Sequence, residues 1–141
     1  MSANLDIREL DENDMRDYAH ELTRLFNYLH SADRQNLDAW FVWFKAWGKV
    51  YGAFRDDKLV GMASVILIPK PYGFVAQIED VAVAEGNRKQ GIGSKLIKFI
   101  EGEAKRANWC YKITLACSDA KVRWYSKLGY VGRANYMRKD I

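Results

Sequence analysis

Apolar residues recur along this chain with two different periods, and the switches between them divide it into elements. Leu5-Asp6-Ile7-Arg8-Glu9-Leu10 alternates apolar and polar positions and predicts a first strand. Asp11 is placed to cap a helix, and behind it Met15, Tyr18, Ala19, Leu22, Leu25, Phe26 and Leu29 fall on one helical face. A second helix is expected from near Asp33, carrying Leu37, Trp40, Phe41, Trp43, Phe44 and Trp47, with Gly48 as its stop. Residues 50–54 and 58–68 read as a hairpin turned at Arg55-Asp56-Asp57. A loop over 69–73, a strand over 74–83 and an amphipathic helix over 92–107 follow, the helix with Ile92, Leu96, Phe99, Ile100 and Ala104 on one side. A strand over 111–117, a short helix over 119–128 and a last strand over 130–137 complete the pattern.

The predicted order is β-α-α-β-β-β-α-β-α-β, with no linker, repeat or low-complexity segment, so residues 1–141 are expected to form one domain. Strands 74–83 and 111–117 are joined through a helix and are expected to run parallel. The fold class is α/β: a mixed, mostly antiparallel sheet flanked by helices.

The run Arg88-Lys89-Gln90-Gly91-Ile92-Gly93 stands between the strand at 74–83 and the helix at 92–107. A glycine-containing turn that opens a helix presents unpaired backbone N–H groups and the positive end of the helix dipole to an anion. Gly91 and Gly93 allow close approach to the backbone, and Arg88 and Lys89 add charge. The spacing fits neither a Walker A loop nor a dinucleotide fingerprint, which needs a third glycine. Arg/Gln-x-x-Gly-x-Gly/Ala after a strand resembles the acetyl-CoA loop of the GNAT acetyltransferase superfamily. That resemblance implies the GNAT fold and acetyl-CoA as acetyl donor.

Charge and cysteine usage narrow the partners. Twenty-two Lys and Arg against 18 Asp and Glu give a net charge of +4, suited to an anionic ligand such as CoA or a sugar phosphate. The basic residues are scattered, so a nucleic-acid surface is not expected. Cys110 and Cys117 lie an odd spacing apart on one predicted strand, on opposite faces, poorly placed to share a metal or a disulfide. They read as buried fillers, and with only His20 and His30 to assist, no metal site is expected. Met1-Ser2-Ala3-Asn4-Leu5-Asp6 lacks the basic start and apolar stretch of a secretory signal, and the apolar-rich run 39–47 is too short to span a bilayer. The expected setting is cytoplasmic, without membrane association.

Acetyl transfer from a thioester to an amine needs the acyl carbon held beside the amine, its oxygen polarised, the ammonium deprotonated and the departing thiolate protonated. Backbone N–H groups of Val81 and Val83 are the candidates for the first two tasks. The hydroxyl of Tyr125 suits the last, because a phenol titrating near 10 lies close to a thiol near 8.5. Glu79 and Asp80 are candidate proton acceptors; on a regular strand they alternate sides, so only one would point into a given pocket.

Three segments carry a narrower resemblance: Ile78-Glu79-Asp80-Val81-Ala82-Val83, Cys110-Tyr111-Lys112-Ile113 and Tyr125-Ser126-Lys127-Leu128-Gly129-Tyr130. In order and spacing, from about residue 74 to 131, they look like the eukaryotic-type glucosamine-6-phosphate N-acetyltransferases. The resemblance implies that Glu79 and Asp80 face the acceptor, with Tyr111 and Lys112 also contacting it. It implies that Val81, Ala82 and Val83 bind pantetheine, that Lys89, Gln90, Gly91, Ile92, Gly93 and Ser94 take the pyrophosphate, and that Tyr125 sits at the sulfur, with Lys127 among the cofactor-binding residues. It further implies a homodimer whose C-terminal strands help form the partner's acceptor site.

The chain departs from that family at Ala116, where the family has an Asp that orients the amino-sugar, at Gln77, where it has a His, and at Asp140, where an Arg is associated with the phosphate. Arg138 or Lys139 could replace the last. The expected activity is acetyl transfer to a primary amine in a ternary complex, with glucosamine 6-phosphate as one acceptor. A protein lysine or N-terminal amine, another small amine, and a non-catalytic CoA-binding module stay open as alternatives.

Overall fold

In the computed structural model of the protein the described residues are 4–29 and 34–141, the side chains of residues 34 and 35 excepted. His30 and the expected helix start near Asp33 lie outside them. The chain runs β1 (Leu5–Glu9), α1 (Glu12–Asp17), α2 (Ala19–Asn27), α3 (Arg34–Phe44), β2 (Gly48–Arg55), β3 (Lys58–Lys70), β4 (Gly73–Val83), a 3-10 turn (Glu85–Asn87), α4 (Ile92–Ala107), β5 (Lys112–Leu115) and α5 (Asp119–Lys127). The sheet has the order β1-β2-β3-β4-β5. Its first three pairings are antiparallel, and β4–β5 is parallel, as a crossover through α4 requires.

Local chemistry explains the boundaries. Asp11 caps α1 as expected, and its side chain and that of Asp14 bond each other's backbone N–H at 2.9 Å. The helix expected to continue through to Leu29 instead breaks at Tyr18, whose backbone leaves helical values at φ −111° and ψ 22°. The Tyr18 ring there packs edge-on against Phe54, 5.0 Å between centroids. The β2–β3 hairpin turns on Asp56 and Asp57, both with positive φ (52° and 60°), the backbone of the tight turn that matches strand twist. Gly48 opens β2 rather than ending α3, and a Cβ on it would overlap the Phe44 ring at 2.3 Å.

Two apolar layers clamp the sheet. On one face Leu10, Met15, Leu22, Leu25, Leu37, Val50, Phe54 and Met62 gather under α1–α3. On the other Tyr51, Ala53, Val65, Ile78, Leu96, Ile97 and Ile100 gather under α4. Each fully buried aliphatic side chain contributes roughly 1.5–3 kcal/mol, so α4, with Ile92, Leu96, Ile97 and Ile100 inside, is firmly seated.

Three sequence expectations are corrected. The segment 69–73 is not a loop: β3 and β4 continue to Lys70 and from Gly73, with Pro69 opposite Phe74. Proline is tolerated there because β2 reaches only Ile66, which leaves that stretch of β3 an edge on one side. The last strand expected at 130–137 is absent, since these residues pair with no strand, and alternation alone does not satisfy backbone N–H and C=O groups. The strand expected over 111–117 is only four residues long, so both cysteines flank it; Cys110 is half-buried and Cys117 exposed, so neither is a buried filler.

Candidate active site

The site begins where β4 and β5 part. Their parallel register runs from Val75–Lys112 to Ile78–Leu115 and stops, while β4 continues to Val83. The backbone of residues 79–83 therefore faces a gap on the β5 side, with its N–H and C=O groups on that edge free of a strand partner. Val81 and Val83 pack on the α4 face of the sheet and Ala82 on the other. The gap joins the two faces of the sheet.

On the α4 face the gap opens toward the glycine loop. Lys89 and Gly91 both adopt left-handed backbone, φ 64° and 80°. Gly91 is the N-cap residue of α4, and no side chain caps that end, so the first N–H groups of a sixteen-residue helix have no side-chain partner. A Cβ on Gly91 would meet nothing within 4 Å, whereas one on Gly93 would press on the Trp124 indole at 3.3 Å. The two glycines thus differ in purpose: the first shapes an open cradle, the second lets α5 close against α4. The cradle offers an anion open space and the positive end of the helix dipole. Arg88 does less there than its charge suggests: its Nε donates to the Val83 carbonyl at 3.0 Å and its guanidinium covers the Tyr28 ring at 4.6 Å. It shapes the loop, and Lys89 and Gln90 stay exposed. Arg55, at the end of β2 beside the expected turn, donates to the Gln90 side chain and brings a cation to the loop.

On the other face stand the carboxylates. The expectation that Glu79 and Asp80 alternate sides is overturned by a β-bulge. Ser64 pairs with Glu79 and Met62 with Ala82, so β4 spends one residue more than β3 between these rungs. Asp80 takes that position with φ 51°. Ser64 and Glu79, opposite each other, share a face. The Ser64 hydroxyl also reaches Asp80 Oδ2 at 2.9 Å, so both carboxylates lie on the α1–α3 side. The Gln77 amide donates to Glu79 Oε1 and holds it there.

Tyr125 sits on α5, its ring edge-on to Trp124 at 4.7 Å and to Tyr130 at 6.0 Å. Burial first, and the nearby Cys117 second, push its phenol above the ordinary value, so it stays protonated at neutral pH. It lines an open cleft of about 1010 Å³ between α4, β5, α5 and residues 128–134, which also holds Tyr111, Lys112 and Cys117. Tyr111 leans on Tyr72 at 5.5 Å, and the Lys112 ammonium lies 5.6 Å from the Tyr111 ring centre. These two stand beside Val75, at the far end of the β4–β5 ladder from Glu79 and Asp80. Four residues of strand, roughly 13 Å, separate them. One chain alone does not bring Tyr111 and Lys112 to the carboxylates. Ala116 follows Leu115 at the mouth of the gap and leaves it without a carboxylate on the β5 side. Lys127 is exposed in the last turn of α5.

The model of the acetyltransferase (GNAT) family matches residues 7–130. The glucosamine 6-phosphate N-acetyltransferase of Trypanosoma brucei brucei is 34% identical over 96 residues, which cover 66% of this chain and 65% of that protein. A probable glucosamine 6-phosphate N-acetyltransferase of Drosophila melanogaster is 30% identical over 89 residues, 59% of this chain and 40% of that one. The matches thus span less than two thirds of these relatives. Among solved structures, the glucosamine-6-phosphate N-acetyltransferase of Arabidopsis thaliana superposes with a TM-score of 0.79 at 25% identity, covering 97% of this chain and 98% of that one. A Trypanosoma brucei acetyltransferase superposes with a TM-score of 0.82 at 27% identity, covering 98% and 100%. The parted strands, the uncapped glycine loop and a family match over most of its length lead to one conclusion: this chain belongs to the GNAT acetyltransferase family.

Proposed function

We propose that this protein transfers the acetyl group of acetyl-CoA to the primary amine of a small molecule, with glucosamine 6-phosphate the first acceptor to try. One observation carries the reading: the gap between β4 and β5 connects an uncapped, glycine-shaped anion cradle on one face of the sheet with two carboxylates on the other. A donor held by its phosphates at the loop reaches the gap from one side, and an ammonium drawn to Glu79 and Asp80 meets it from the other. The amine gives up a proton to one of these carboxylates, directly or through water, and its lone pair attacks the thioester carbon. Backbone N–H groups on the free edge of residues 79–83 face the carbonyl oxygen. Collapse of the adduct breaks the C–S bond, the Tyr125 hydroxyl protonates the departing thiolate, and the extra proton on the adduct nitrogen passes through water to restore the phenol. An amine titrating near 8 is already partly neutral at pH 7, so a weak base suffices.

The sugar-phosphate acceptor is supported by what the trypanosome and plant relatives are named for, together with the likeness in the 74–131 segment. Ala116 argues for an acceptor pocket that differs in detail. Trp43, 81% exposed at the end of α3, favours the second reading, a protein amine gripped by an aromatic surface. A homodimer belongs to the same proposal: Tyr111 and Lys112 stand apart from the carboxylates within one chain, and the segment 131–141 is exposed, with Tyr136 and Met137 among its exposed apolar groups. A cytoplasmic setting is likewise proposed, and fractionation of cells expressing the tagged protein tests it.

The deciding experiment is CoA-thiol release from acetyl-CoA with glucosamine 6-phosphate, glucosamine, polyamines and lysine peptides. Turnover with the sugar phosphate alone supports the first reading; turnover with peptides alone replaces it with the second. No release with any amine leaves a CoA-binding module. Sedimentation at micromolar concentration as a monomer removes the dimer.

A further inference from the structure

Ser64 is the one polar side chain sealed completely inside the sheet among the described residues. A serine hydroxyl carries one proton and two lone pairs, and burying it without partners costs about 1–3 kcal/mol. Here it has two acceptors in reach: Asp80 Oδ2 at 2.9 Å and the Glu79 carbonyl oxygen at 3.2 Å. One O–H serves one of them at a time. The charged, nearer carboxylate takes it while Asp80 is ionised, because a bond to an ionised acceptor is the stronger. Both acceptors belong to the bulge, whose positive φ at Asp80 is a backbone state that aspartate tolerates better than most side chains.

We infer that Ser64 is a positioning residue for proton transfer: it fixes the Asp80 carboxylate on the acceptor face and lets it change protonation without orphaning a buried group. This rests on the reading of Asp80 as a proton acceptor for the amine. The step balances. The ammonium loses its proton to Asp80, which becomes a neutral carboxyl group. The Ser64 O–H then turns to the Glu79 carbonyl, and its oxygen accepts the new carboxyl O–H. Loss of that proton to solvent restores the first arrangement. An apolar residue at this position could do neither, and the bulge would hold Asp80 by backbone alone.

The test uses the full chain with whichever amine it acetylates. Initial rates are measured for the wild type, Ser64→Ala, Ser64→Cys, Ser64→Thr, Asp80→Asn and the double variant Ser64→Ala/Asp80→Asn, with melting curves in the presence and absence of acetyl-CoA. Ser64→Ala is expected to lower kcat on the order of tenfold, as small misplacements of reacting groups do, and to leave the KM and the stabilisation by acetyl-CoA unchanged. Ser64→Cys, close in size but a poor donor, should repeat that loss, and Ser64→Thr should restore most of the rate. On the Asp80→Asn background, Ser64→Ala should change kcat by less than about twofold, because the two residues act as one unit. Wild-type kcat in both Ser64→Ala and Ser64→Cys overturns the inference and leaves acetyl transfer standing. So does an equal loss with and without the Asp80 carboxylate, which marks a purely structural serine. A wild type that acetylates no amine overturns the functional reading, and this inference with it.

Discussion

Replacing Gly91 with alanine separates the fold from the cofactor site more cleanly than any other single change. Gly91 holds φ 80° and ψ 10° at the N-cap of α4. An L-residue there costs about 1–2 kcal/mol, of which about 0.4–1 kcal/mol returns because alanine is less free than glycine in the unfolded chain. The added methyl meets nothing within 4 Å, so no steric cost adds to this. The net loss is about 1 kcal/mol, or a fall of about 3–5 °C in Tm for a chain of this size. The effect on acetyl-CoA should be larger. The methyl projects into the cradle, and losing one charge-assisted N–H to phosphate bond costs about 1.5–3 kcal/mol, at least tenfold in Kd. At one hundred times the wild-type Kd, acetyl-CoA should stabilise the wild type by about 2.7 kcal/mol and the variant by about 1.4 kcal/mol or less. Differential scanning fluorimetry with and without acetyl-CoA reads both numbers. Gly102→Ala, in open space on the outer side of the same helix, is the control; it should gain about 0.5–1 kcal/mol and bind as before. A Gly91→Ala variant that keeps the full acetyl-CoA shift would refute the assignment of the loop.

Other consequences can be measured independently. Tyr125→Phe should lower kcat by roughly 10²–10⁴-fold while acetyl-CoA still raises the melting temperature, as loss of a general acid requires; unchanged turnover removes Tyr125 from the chemistry. Asp14→Ala should destabilise the fold by about 1.5–3 kcal/mol, because Asp14 takes a two-pronged bond from Arg8 at 2.7 and 2.9 Å and completes the cap of α1. The Arg8 bond holds the Asp14 carboxyl below its ordinary value. The stability it supplies is therefore present above the unfolded aspartate value near 3.9 and lost as pH falls below it. Urea melts at pH 7 and pH 3 should show the difference between wild type and variant shrinking in acid. Burial pushes the phenol of Tyr51 well up, as burial and the Glu101 bond do for Tyr130. The raised folded value means that stability is complete below about pH 10 and declines above it, where only the unfolded chain ionises. Tyr51→Phe should flatten that alkaline decline.

The reach of the sequence differs from element to element for physical reasons. The bounds of α4, the turn at Asp56 and Asp57, the Asp11 cap and the parallel β4–β5 pair all follow from short-range rules, and the structure agrees with each. The glycine loop was legible because its chemistry lies in consecutive residues. Asp80 was misread because a bulge shifts parity by one residue, and no local feature of Ile78-Glu79-Asp80-Val81 announces it. Ser64 went unnoticed for a related reason: it lies in an apolar strand, and its partner comes from a register that only the folded sheet defines. Arg55 likewise reads as part of a turn until β2 brings it to Gln90. The strand expected at 130–137 failed on different grounds, since a strand is a property of two segments and the sequence describes one.

The order of strands in the sheet repeats the order of strands in the chain, and this has a kinetic consequence. β2, β3 and β4 can pair as successive hairpins with little loop entropy to overcome. β5 must wait until α4 has carried the chain back across, and it then gains only four rungs. The glycine loop lies inside that late crossover. Amide exchange should accordingly be fastest in β5 and slowest in β2–β4, with the crossover opening as a unit before the hairpins do. A molecule held on the loop grips the last part of the chain to fold. It should slow unfolding while leaving the folding rate almost untouched.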